Sequence, residues 1–118
     1  MAGSMLVLIT RAPYGLEDAF AGLRLALAMG VNGMSVSVVM VEDGVYNAVA
    51  GQKPEAVRMP SNKEATVELY DFDVPVHVVR EDLSERGLSE ESVFDGLKMV
   101  ERAALKDMVS TNDVVTTF

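Results

Sequence analysis

The chain has 118 residues, 49% of them hydrophobic, with 18 acids against 10 bases and a formal net charge of -8. That length suits one domain burying roughly two-thirds of its unfolded surface, and the acidic balance argues against direct binding of nucleic-acid phosphates, which takes clustered Lys and Arg. The sequence has no cysteine, which excludes disulfides, thiolate metal sites and covalent thiol chemistry.

Taken in order, Met1–Ser4 is set aside and a single domain is expected over 5–118. Met5–Thr10 is a continuous apolar run without period-2 alternation, which predicts a strand buried on both faces of a parallel sheet. It is far shorter than the ~20 residues that span a bilayer, and no secretory leader is recognisable, so a cytoplasmic protein away from membranes is expected. Arg11–Gly15 is a loop broken by Pro13 and Gly15. Leu16, Phe20, Leu23 and Leu27 make one helical stripe, with Glu17 and Asp18 in the first turn and Gly30 as the expected stop.

Ser35–Val41 is β-branched and predicts a second strand. Glu42-Asp43-Gly44 follows it, then a short helical piece over Val45–Ala50 and a loop over Gln52–Pro60 holding two prolines. Ser61 and Glu64 have the spacing of a capping box, opening a helix whose inward side is Ala65, Leu69 and Phe72. Val74–Arg80 predicts a third strand, with Pro75 tolerable near its start. Asp82–Gly87 reads as a polar turn or short helix, and Ser89-Glu90-Glu91 as the capped start of another. Leu97–Val100 fits a short fourth strand or the start of the next helix, with the strand favoured. A last helix over Arg102–Ser110, with Leu105, Met108 and Val109 inward, leads to a final strand over Val114–Phe118. Strands alternating with helices predict a three-layer α/β/α, flavodoxin-like domain with a five-stranded, mostly parallel sheet.

Ligands of open α/β sheets bind beyond the carboxyl ends of the strands. That rule nominates Thr10–Gly15, Glu42–Gly44, Arg80–Asp82 and Glu101-Arg102. The first loop has neither a dinucleotide fingerprint nor a phosphate-loop ending. Asp43 fits a helix N-cap. Asp43, Glu81 and Asp82 are a conceivable Mg²⁺ set, but no phosphoacceptor and lysine accompany them as in receiver domains, and no metal or cofactor is expected. His77, the only histidine, lies in an apolar strand without a nucleophile beside it, so a packed or partner-contacting role is expected. No self-sufficient active site emerges, and the chain is not expected to be an enzyme. The acids are unevenly placed: residues 1–59 carry 5 acids and 4 bases, and residues 60–118 carry 13 and 6. A solvated acidic face accounts for this, and a basic protein partner fits it too.

The stretch Asp43–Glu55 reads DGVYNAVAGQKPE and resembles the DGV-x(5)-GQKP signature of the TusC/DsrF group in the DsrE/DsrF family. Ala12-Pro13-Tyr14-Gly15, Leu83–Leu88 (LSERGL) and Asp113–Phe118 (DVVTTF) resemble further segments of that group in the same order. The resemblance implies a small parallel α/β domain that assembles into oligomers. The family includes the TusBCD and DsrEFH heterohexamers, which pass persulfide sulfur toward tRNA thiolation or take part in sulfur oxidation. It implies partners homologous to DsrE/TusD and DsrH/TusB, or copies of the chain itself. In the family a cysteine of the DsrE/TusD-type subunit carries the sulfur after the third strand. The corresponding stretch here, Val79-Arg80-Glu81, has none. A non-carrier subunit is therefore expected, the alternative being a stand-alone homo-oligomer that binds a small ligand. Tyr14, Asp43, Gly44, Gln52, Lys53 and Arg80 are the candidate cleft or partner-contact residues.

Overall fold

A computed structural model of the chain describes residues 3–13, 18–50 and 61–118. Five strands, β1 (Ser4–Ile9), β2 (Ser35–Met40), β3 (Val76–Val79), β4 (Lys98–Val100) and β5 (Val114–Thr117), form one sheet in the order β4-β3-β2-β1-β5. Every neighbouring pair is parallel. Among the described residues four helices connect them: α1 (Asp18–Val31), α2 (Asn62–Tyr70), α3 (Arg80–Glu85) and α4 (Leu105–Thr111), and 3-10 turns span Glu42–Ala48, Glu90–Ser92 and Arg102–Ala104. The chain steps outward from β1 to β4 and then crosses back to lay β5 on the far side of β1. The expected five-stranded α/β/α sheet is the one observed, with β4 a strand. The first strand starts at Ser4, whose backbone N–H and hydroxyl both reach Asp113 Oδ2 at the foot of β5.

The apolar runs lack alternation because both faces of the sheet are used. Met5, Val7, Ile9, Val36, Val38, Met40, Val76 and Val78 join Leu23, Ala26, Leu27, Ala65 and Leu69 in the large core under α1 and α2. Leu6, Val39, Val41 and Val79 face the other way, against Leu105 and Met108 of α4. In α1, Ala19, Gly22, Leu23, Ala26 and Leu27 are buried, the spacing of one helical face. Leu16 of the expected stripe lies outside the described residues. The layers are unequal: no residue of α4 is fully buried.

Three helix ends close in the same way. Met34 N–H bonds Met29 C=O, Val74 N–H bonds Leu69 C=O and Leu88 N–H bonds Leu83 C=O, each with a shorter bond inside it. This is the Schellman motif, which ties off orphan carbonyls and brings two apolar residues together across the helix end. It places Gly30 inside α1, which ends at Val31, and makes Gly33 the stop residue, with the left-handed φ of 92°. It also explains Phe72, expected inward yet 47% exposed: α2 has ended at Tyr70, and Val74 takes the buried position instead. The Ser61 cap is as expected, its Oγ accepting from Glu64 N–H at 3.1 Å. The 3-10 turn at Glu90–Ser92 has no side-chain cap, because Ser89 Oγ pairs with Ser92 Oγ.

Candidate functional site

Each of the four nominated loops contributes a residue, Thr10, Glu42, Asp82 and Arg102, to a crevice of about 610 Å³ beyond the carboxyl ends of the strands, on the α4 side of the sheet. Leu8, Thr10, Val41, Leu105, Val109 and Thr117 give it an aliphatic floor with two hydroxyls, and Glu42, Asp82, Glu85, Arg86 and Arg102 bring charge to it. Val109, expected inward, is 42% exposed and lines the crevice. Helix α4 is one short turn pair, so only its Leu105 and Met108 reach the sheet.

Asp82 organises this edge. It is 4% exposed, in the first turn of α3. Its Oδ2 accepts from the backbone N–H of Glu42 at 2.7 Å, and its Oδ1 accepts from Arg102. Arg86, one helical turn on, reaches the same Oδ1 at 3.9 Å and donates through Nε to Asp43 Oδ1 at 3.0 Å. Arg102 also holds Glu85 at 2.9 Å, and its backbone N–H holds Glu81 at 2.7 Å. The side-chain bonds to Asp82 and Glu85 raise the pKa of Arg102 above its ordinary value, and the Arg102 backbone N–H lowers that of Glu81. A buried carboxylate needs such partners to stay charged. Asp43, Glu81 and Asp82, a conceivable Mg²⁺ set from the sequence, are each held by an arginine or a backbone N–H, and no metal-binding group of His, Asp and Glu occurs among the described residues.

Glu42 itself has φ 52°, an uncommon conformation for a side chain of this size. The bend drops the chain from β2 into the 3-10 turn. Asp43 stands in the first turn rather than capping it, since the N-cap residue is Val41 and makes no side-chain bond. Gly44 is packed so closely on β1 that a Cβ there would lie 1.8 Å from the carbonyl oxygen of Ile9. Beneath it, fully buried Asn47 donates to Arg11 C=O at 2.8 Å and Gly44 C=O at 2.9 Å, and its Oδ1 accepts from Asn62 Nδ2 at 2.6 Å. The two carbonyls fix both amide orientations. They leave Asn62 Oδ1 buried without a donor among the described residues.

The expected site residues therefore separate. Asp43 and Gly44 belong to this edge. Arg80 turns toward β4, where it pairs with Glu90 at 2.8 Å and with Glu101; Glu90 raises its pKa most. Tyr14, Gln52 and Lys53 lie outside the described residues. His77 is half-buried on β3, its Nδ1–H donating to Val38 C=O at 3.1 Å, and burial lowers its pKa. Sequence reasoning missed Asn47 and Arg86, and reached Glu42 and Arg102 only as members of nominated loops, with no role assigned to either. The i,i+4 spacing of Asp82 and Arg86 was the one local signal for the clamp.

An open parallel sheet with a crevice at its carboxyl edge defines this protein as a small doubly wound α/β domain. Within that class the chain belongs to the DsrE/DsrF-like family, whose model matches residues 3–118. An uncharacterized protein of Methanocaldococcus jannaschii is 36% identical over 95% of this chain and 96% of its own length. The TusC homolog of Pseudomonas aeruginosa is 28% identical over 99% of each chain. The intracellular sulfur oxidation protein DsrF of Allochromatium vinosum is 25% identical over 92% of this chain and 90% of its own. Among solved structures, the ychN protein of Escherichia coli superposes with a TM-score of 0.86 over the full length of both chains, at 28% identity. The family and fold implied by the GQKP-type signature are thus the ones found. No described helix is long and apolar enough to cross a membrane.

Proposed function

We propose that this protein is a non-carrier subunit of a cytoplasmic sulfur-relay complex, of the kind its TusC- and DsrF-named relatives suggest. The observation that carries the reading is the absence of cysteine from a chain of this family. Persulfide transfer requires a thiolate. At the end of β3, where the family resemblance puts the carrier, this chain has Arg80, engaged with Glu90 and Glu101. The chain then contributes surface and shape, and a cysteine-bearing homologous subunit contributes the chemistry. No catalysis by the isolated chain follows from this reading.

The test is co-expression with a cysteine-bearing DsrE/TusD-type homologue from the same genome. The reading expects a stable mixed assembly in size-exclusion chromatography with light scattering, and persulfide labelling confined to the other subunit. A homo-oligomer that ignores the homologue would sink it. That result would favour the second reading, a stand-alone oligomer binding a small ligand, which the 610 Å³ crevice supports.

A further inference from the structure

The crevice at the carboxyl edge combines an aliphatic floor with a charged rim. We infer that Glu42 and the aliphatic floor beneath it receive a lysine side chain of a partner subunit. The inference rests on the reading of the chain as part of a complex, and adds where and with what chemistry the partner docks.

Three observations carry it. First, the positive charges of the crevice are already used: Arg86 is engaged with Asp43 and Asp82, and Arg102 with Asp82 and Glu85. An anionic ligand would have to displace a carboxylate of this chain. Second, Glu42 lines the crevice and makes no ion pair with any described residue. The charge left unanswered there is negative, and the complementary guest is a cation. Third, Leu8, Val41, Leu105 and Val109 offer it apolar surface. A lysine buries its methylene stem on such a surface while its ammonium stays at the polar rim.

The backbone adds weight. Glu42 occupies a left-handed conformation, φ 52°, that glycine or asparagine would adopt more readily. Strain of this kind collects where a side chain is needed in one place. Folding stability and binding should therefore oppose each other at this position.

The test is a nitrogen–proton NMR titration of the full chain with three blocked tripeptides, Leu-Lys-Leu, Leu-norleucine-Leu and Leu-Glu-Leu. The lysine peptide is expected to shift the amides of Val41, Glu42 and Leu105 at low salt. Its affinity should fall about two- to fivefold in both Glu42→Gln and Glu42→Gly, the range of one exposed ion pair, and fall again in high salt. Glu42→Gly should at the same time unfold at an equal or higher urea concentration than the parent. The inference is overturned if no peptide shifts these amides, if all three shift them equally, if the glutamate peptide binds best, or if Glu42→Gln binds the lysine peptide unchanged. The two readings fail separately. A mixed complex with an unchanged Glu42→Gln titration sinks this inference alone. A lysine-specific, Glu42-dependent titration without any mixed complex sinks the relay reading alone.

Discussion

The carboxylate of Asp82 and the backbone N–H of Glu42, 40 residues apart in sequence, meet at 2.7 Å and fix the bend that leaves β2. Because Asp82 also holds Arg102, this contact joins the ends of β2 and β3 to the turn that leads into α4.

Removing that carboxylate should be felt throughout the edge. Asp82→Ala strands a part-buried backbone donor and frees two arginines, and should lower unfolding free energy by about 2–4 kcal/mol in urea titrations. Asp82→Asn still accepts from Glu42 and should lose about half as much. Equal losses would mean that the arginine pairs, not the backbone bond, hold the edge.

Two glycines should respond differently to alanine. At Gly44 a methyl would collide with the Ile9 carbonyl, so Gly44→Ala should destabilise by about 3 kcal/mol or more, through overpacking against main chain that has nowhere to move. At Gly87, φ is 71° and nothing lies within 4 Å, so Gly87→Ala should cost only about 1–2 kcal/mol of left-handed strain. Urea midpoints of the two variants check the ranking.

His77 should make the fold sensitive to mild acid. Burial chiefly, and Lys98 after it, lower its pKa below 6.5, against the opposing effect of the Val38 bond. The unfolded chain therefore takes up the proton first. Its stabilising contribution is complete above pH ~6.5 and is lost as pH falls through the lower, folded value. The stability difference between the parent and His77→Gln should shrink over that window and be level above it.

Tyr70 should show the opposite sign in alkali. Burial first, and Asp95 second, raise its phenol to about 12. Stability tied to the neutral phenol is then present below pH ~10 and lost as pH climbs toward the folded value. Phenolate absorbance should show a late-titrating tyrosine that Tyr70→Phe removes.

Much of the fold was legible because its signals are local. The unalternating run at Met5–Ile9 reports a strand covered on both faces. Ser61 and Glu64 report a helix start, and Gly87 after Leu83–Arg86 reports a helix end that closes on Leu88. The LSERGL segment that resembled a family motif is therefore also a capped helix terminus, with Arg86 left free to reach Asp82 and Asp43. The misses were matters of depth. Phe72 and Val109 fit helical stripes, but one falls past the end of α2 and the other on a helix too short to bury it.

The site was less legible, because hydrogen bonds and charge pairs select partners by distance in space. Nothing in local spacing says that Arg102 rather than Lys98 answers Asp82, that Asn47 holds the Arg11 carbonyl, or that Arg80 turns away toward Glu101. Composition alone decided that this chain carries no thiol, and its strand–helix rhythm decided a parallel sheet, since both depend only on which residues are present and in what period. Which carboxylates are neutralised, and which one is left facing the crevice, was decided by the pairing of β4 with β3, which sets Arg102 over α3, and by the bend at Glu42. Those fix distances that no stretch of sequence contains.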